Sequence, residues 1–99
     1  MITISEQELA ITLSIIREHV PDCDVFVFGS RSNGTARSYS DLDLAFKHKN
    51  RDKLSIRRIG ILRDTFQESA LPFRVDVVDY YSTSIEFRKL IDEESISIL

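Results

Sequence analysis

The sequence has no tryptophan, a single cysteine, two prolines and three glycines in 99 residues. One cysteine, Cys23, cannot close an internal disulfide, so a reducing compartment is the expectation. No run of 18 apolar residues is present, which excludes a membrane-spanning helix. No basic-plus-apolar leader opens the chain, and a cytoplasmic protein is expected. An excess of positive charge is also missing. Thirteen Lys and Arg face 16 Asp and Glu, for a net charge of −3 and a pI of about 5.3. Non-specific nucleic-acid binding runs on Lys and Arg displacing counterions, so the balance argues against a chain that coats nucleic acid, though not against a local basic rim. There is no linker, internal repeat or low-complexity segment. The expectation is one domain, residues 1–99.

What is present reads as alternating helices and strands. Ser5 and Glu8 form an S-x-x-E capping box for a helix over 5–20, with Leu9, Leu13, Ile16 and Val20 as its apolar stripe. Pro21 ends it. Val25–Phe28 is a short β-forming run, read as a buried strand. Residues 29–40, GSRSNGTARSYS, are small and polar, a turn and loop with room for one helical turn. In 41–47, DLDLAFK, Leu42, Leu44 and Phe46 share one face while Asp41, Asp43 and Ala45 share the other. An Arg-rich helix is predicted over 51–69, with Leu54, Ile61 or Leu62, and Phe66 inward. A third strand, 73–80, follows Pro72. Thr83 and Glu86 predict a capped helix to about residue 93, and the tail 96–99 is suited to a short strand or to docking. The fold class is α/β or α+β, a small mixed sheet flanked by helices.

The chemistry is concentrated in a few positions. Asp41 and Asp43, two apart on a strand, project carboxylates to one face. Their charges repel unless a cation neutralises them. The apolar opposite face fixes the register, so they cannot rotate away. Magnesium favours carboxylate oxygens and fills its shell with substrate phosphates. A solvated strand face is the plain alternative for D-x-D alone. Gly29-Ser30 directly follows an apolar strand. Glycine allows a tight turn and close phosphate approach, and the following amides and the Ser30 hydroxyl can donate to phosphate oxygens. Asp76, between Val75 and Val77, has the parity of a polar face; pairing of its strand with 41–47 would bring three carboxylates together. Asp79 has the opposite parity and ranks second. Three carboxylates suit two metal ions, one with a triphosphate and one at an attacking hydroxyl.

Residues 29–43, GSRSNGTARSYSDLD, resemble the G-S-x10-D-x-D signature of the DNA polymerase β-type nucleotidyltransferase superfamily. The flanking strand Val25–Phe28 and the later Val75-Asp76-Val77 match as well. The short length and the run from GSRSNGTA to RVDVVDY resemble the minimal nucleotidyltransferase (MNT) family, over residues 5–93. The resemblance implies a polymerase β-like fold, with Asp41, Asp43 and Asp76 as catalytic metal ligands for Mg2+ and Gly29 and Ser30 as the nucleotide-phosphate turn. It also implies ATP as substrate and a helical HEPN protein as partner. In such pairs the MNT member is the antitoxin and adds AMP to a tyrosine of the HEPN toxin.

Other residues carry less. Arg31 is taken as a third nucleotide-phosphate contact, and Arg37 is a weaker candidate, because guanidinium matches phosphate geometry. Arg57, Arg58 and Arg63 read as a solvated helix face more than as a docking patch. Arg74 either pairs with a carboxylate or touches the nucleotide. His48 is expected at the surface, and Tyr80 and Tyr81 in packing. Two further functions compete with protein adenylylation: an antitoxin acting by contact alone, and a nucleotidyltransferase for a small molecule such as an antibiotic.

Overall fold

The computed structural model describes residues 2–98. Met1 and Leu99, the two ends of the single-domain reading and the last residue of the apolar tail, lie outside the described residues. Helix α1 spans Glu6–His19 and strand β1 Cys23–Phe28. A single helical turn, α2 (Ser30–Asn33), leads to β2 (Leu42–His48) and α3 (Ile56–Gln67). Strand β3 (Val75–Asp79), a 3-10 turn at Tyr80–Ser82, α4 (Ile85–Glu94) and β4 (Ile96–Ser97) complete the order.

The four strands form one mixed sheet in the order β3-β2-β1-β4. β1 runs antiparallel to both β2 and β4, whereas β2 and β3 run parallel. The alternation of β2 decides what each face does. Leu42, Leu44 and Phe46 are fully buried against Ile15 and Ile16 of α1 and Leu62 and Phe66 of α3. Each large apolar side chain buried there is worth about 1.5–3 kcal/mol, so a one-residue slip of β2 is heavily penalised. Ala45 falls on the second face with Phe28, Tyr80 and Ile91 of α4.

The capping box of α1 forms as expected. The Ser5 hydroxyl accepts from the Glu8 amide at 3.1 Å, and the Glu8 carboxylate accepts from the Ser5 amide at 2.9 Å. The inward face is rotated from the stripe read in the sequence: Thr12, Ile15 and Ile16 are buried, while Leu9 and Leu13 are half-buried. Thr12 tolerates burial because its hydroxyl donates to the Glu8 carbonyl at 2.8 Å.

Two boundaries differ from expectation. Helix α3 begins at Ile56, not at 51, because Ser55 caps it by accepting from the Arg58 amide and the preceding residues are held elsewhere. The Leu54 amide donates to the Asp79 carboxylate at 2.9 Å, and Arg51 has a φ of 61°. Helix α4 is capped by Ser84, not Thr83, whose hydroxyl donates instead to the Tyr80 carbonyl. On α4 only Ile91 is buried; Ile85 is 70% exposed.

At the end of the sheet where β1 starts, Asp22 ties four segments together. It accepts two bonds from the Arg58 guanidinium, at 2.6 and 2.9 Å, and pairs with His48 Nε2 at 2.9 Å. The same guanidinium donates to the His19 carbonyl. His48 Nδ1 accepts from the Asn50 amide, so Nε2 is the donor to Asp22. His48 is thus a half-buried clasp and not a surface residue, and Arg58 is not part of a solvated face. The hydrogen bonds from Arg58 hold the Asp22 carboxyl well below its ordinary value.

Asp22 is therefore more acidic in the folded chain than in the unfolded one, so its contribution is present above its ordinary value of 3.8 and is lost as pH falls below that. With the carboxylate 41% exposed, Arg58→Ala is expected to cost on the order of 1 kcal/mol at pH 7 and less at pH 2, where Asp22 is protonated in the unfolded chain. Denaturant titrations at the two pH values check this.

Candidate active site

The site is built where β1, β2 and β3 reach one edge of the sheet. Phe28 of β1 is opposite Asp43 of β2, and Asp43 is opposite Asp76 of β3. Asp43 and Asp76 therefore stand side by side on the second face, and Gly29-Ser30 leaves β1 immediately beside them. Asp41 precedes β2 by one residue with the parity of Asp43. The Leu42 amide donates to the Arg74 carbonyl at 2.9 Å, which joins the two strands at this edge.

The carboxylates share one counter-charge. Arg74 Nε lies 3.8 Å from Asp41 Oδ2, and Arg74 Nη2 lies 4.0 Å from Asp76 Oδ1. Of the two roles open to Arg74 in the sequence, the ion pair is the one present. Burial, and after it the neighbouring Asp76 and Asp41, push the Asp43 carboxyl up to about 6, with Arg74 opposing the rise. A carboxyl that resists ionisation for these reasons is suited to a bound cation.

Gly29 is required twice over. Its φ of 74° is rarely adopted by a side-chain-bearing residue, and a Cβ there would run into the Asp43 carboxylate. The turn and the acid cluster are thus in direct contact. α2 starts at Ser30, and the first amides of a helical turn have no partner within it. Gly34, with a φ of 80°, ends the turn in the left-handed conformation and meets open space, a backbone role.

Arg31 departs from the expected phosphate contact. Its side chain is turned inward and the residue is only 3% exposed. Nε donates to the Ser40 carbonyl at 3.0 Å, Nη1 to the Thr3 carbonyl at 2.7 Å, and Nη2 to the carbonyls of Ser40, Ser38 and Arg37. The guanidinium also stacks 4.0 Å from the centre of the Phe73 ring. Arg31 organises the loop that carries Asp41; committed to carbonyls in this way, it does not face a ligand. Sequence spacing could not reveal this, because its partners are backbone groups from several segments.

Asp79 also lies apart from the cluster. It is buried on the other face, and its Oδ2 accepts from the Leu54 amide and the Ser82 hydroxyl. Tyr80 packs in the second core, and its hydroxyl donates to the Asp92 carboxylate at 3.0 Å.

Among the described residues, no three Asp, Glu, His or Cys side chains are drawn together tightly enough to hold one ion as they stand. The acids flank Arg74 instead. The donor chemistry still fits a hard divalent cation: oxygen ligands only, three formal negative charges, and one carboxyl whose ionisation is opposed by its neighbours.

A small mixed sheet with a glycine–serine turn at the end of its first strand, and aspartates facing each other across the next two, defines a nucleotidyltransferase. Residues 9–99 match the nucleotidyltransferase domain family, and the chain belongs to it. It is 44% identical over 88 residues to the probable protein adenylyltransferase MntA of Haemophilus influenzae, an alignment covering 89% of this chain and 75% of that protein. Among solved structures it resembles a toxin–antitoxin crystallised with AMP-PNP, with a TM-score of 0.77 and 26% identity over 92% of this chain and 72% of that one. It also resembles a chain of a mutant toxin–antitoxin MntA–HpeT complex, with a TM-score of 0.76 and 26% identity over 98% of this chain and 73% of that one.

The folded chain favours the protonated Asp43, so ionising it at rising pH removes stability. In chelator-treated protein, Asp43→Asn is expected to raise stability at pH 7.5 by on the order of 1 kcal/mol, after allowing for solvent screening of a half-buried group. That corresponds to about 4–8 °C in Tm for a domain of this size. The gain fades below pH 4, and thermal melts across pH 3.5–8 check it. Gly29→Ala has the opposite sign, costing about 1–3 kcal/mol for the strained backbone and displacing the Asp43 carboxylate.

Proposed function

We propose that the chain transfers AMP from ATP to a hydroxyl of a partner protein, a tyrosine of a HEPN-family toxin, and so acts as its antitoxin. In this reading Asp41, Asp43 and Asp76 hold Mg2+, with two ions expected. Gly29 and Ser30 receive the phosphates. The carrying observation is the register that sets Asp43 opposite Asp76 beside the Gly29 turn. The probable activity printed for the Haemophilus influenzae relative supports adenylyl transfer to protein, and the toxin–antitoxin likenesses, one with AMP-PNP, support the nucleotide and the setting.

Bound divalent cation would supply charge neutralisation between the carboxylates and the triphosphate. The chain's own residues do the rest by position. The turn amides and the Ser30 hydroxyl donate to phosphate oxygens, which orients the α-phosphorus. The acceptor oxygen forms a bond to that phosphorus, the bond to pyrophosphate breaks, and the hydroxyl proton leaves to solvent. Positioning and electrostatics account for most of the rate in such transfers. No helix of the described residues is long and apolar enough to cross a membrane.

One observation favours a neutralising contact as a second reading. Ile85, Phe87 and Leu90 of α4 are large apolar side chains left exposed. They suit a partner surface whether or not AMP is transferred.

Co-expression with a HEPN-family partner and intact-mass measurement separates the two. The wild-type chain is expected to add AMP to the partner, and Asp41→Asn or Asp43→Asn to lower that transfer by at least a hundredfold with the fold retained. Partner neutralised without any mass increment would replace catalysis by contact.

A further inference from the structure

Arg74 is held unlike the chain's other ordered guanidinium groups. Arg58 meets Asp22 at 2.6 and 2.9 Å, and Arg31 is closed in by carbonyls at 2.7 to 3.3 Å. Those are hydrogen-bonded positions. Arg74 lies 3.8 Å from Asp41 and 4.0 Å from Asp76, beyond hydrogen-bond distance, and its side chain is 74% exposed. Charge attraction alone keeps it there, and solvent screens that attraction.

Its backbone is nevertheless anchored, because the Arg74 carbonyl accepts from the Leu42 amide at 2.9 Å. The side chain can therefore move while its root stays at the edge of the acid cluster. It also borders a groove of about 440 Å³ along β3, lined by Arg63, Phe66, Gln67, Phe73 and Asp76. That groove offers the guanidinium a second position away from Asp41.

We propose that Arg74 is a resident counter-ion of the acid cluster, a positioning residue that occupies the place of the divalent cation and is displaced when the cation enters. The inference rests on the carboxylate reading given under Proposed function. Without Arg74, Asp41, Asp43 and Asp76 would face one another with no positive charge between them. With it, they are kept near each other at the cost of competing with the ion. One positive charge then gives way to two in a site of three formal negative charges. The exchange favours the doubly charged ion, most of all when it arrives with a triphosphate whose own charge the freed guanidinium can meet.

The test is calorimetric titration of the whole chain with MnCl2 or MgCl2, without nucleotide, at low ionic strength. Arg74→Gln is expected to bind the cation about three- to tenfold more tightly than wild type, since two screened ion pairs each contribute a factor of a few. Arg74→Lys keeps the charge and is expected to stay within about twofold of wild type. Circular dichroism confirms that both variants are folded. Equal or weaker cation binding by Arg74→Gln, with wild type binding measurably, would overturn the counter-ion role and leave the metal site standing. No cation binding by either protein would overturn the metal site and the inference with it.

Discussion

Two carboxylates placed opposite each other on neighbouring strands repel, and the parallel pairing of β2 with β3 forces Asp43 and Asp76 into that relation. The pairing cannot relax by slipping. Leu42, Leu44 and Phe46 are all fully buried on the reverse face, and a shift by one residue would bring Asp41 and Asp43 into the core in their place. The apolar core therefore holds an unfavourable charge arrangement in place. Burial first, and the neighbouring Asp76 and Asp41 after it, raise the Asp43 carboxyl above the ordinary carboxylate range. Such strain persists only where the surrounding structure over-determines it, and it is common where function needs it.

The rest of the structure is arranged around that constraint. Gly29 lets the turn after β1 come within contact of Asp43, where no side chain would fit. Arg31 gathers the carbonyls of Arg37, Ser38 and Ser40, and so fixes the loop that delivers Asp41 to the start of β2. At the far end of the sheet, Asp22, His48 and Arg58 join the ends of α1 and β2 to α3. The tight guanidinium sites of Arg31 and Arg58 are thus used for architecture, and a loosely held one, Arg74, is left at the acids.

Much of this was legible from local pattern. Period-two alternation in DLDLAFK and FRVDVVDY gave the strand faces, and with them the shared orientation of Asp41, Asp43 and Asp76. The Ser5–Glu8 box marked the start of α1. The errors have a common origin in partners distant along the chain. Arg31 sits in a phosphate-type loop, yet its acceptors include the carbonyl of Thr3. His48 looked like a strand-end surface residue, yet it meets Asp22. The start of α3 was misplaced because Leu54 is drawn to Asp79 by a hydrogen bond across 25 positions. Thr83 and Ser84 are both competent caps, and only the 3-10 turn before them decides that Thr83 is used by the Tyr80 carbonyl. Spacing rules see neighbours within a helix or strand and are blind to such contacts.

The central claim is that the side chains at 41, 43 and 76 act together on divalent cations next to the turn at 29 and 30. Paramagnetic broadening by Mn2+ in the amide spectrum of the 15N-labelled chain tests it most directly. The account predicts early loss of the signals of 41–43 and 75–77 at substoichiometric Mn2+, joined by Gly29 and Ser30 when ATP is present. Broadening centred on other acids, or loss at 41–43 with Asp76 and its neighbours spared, would contradict it.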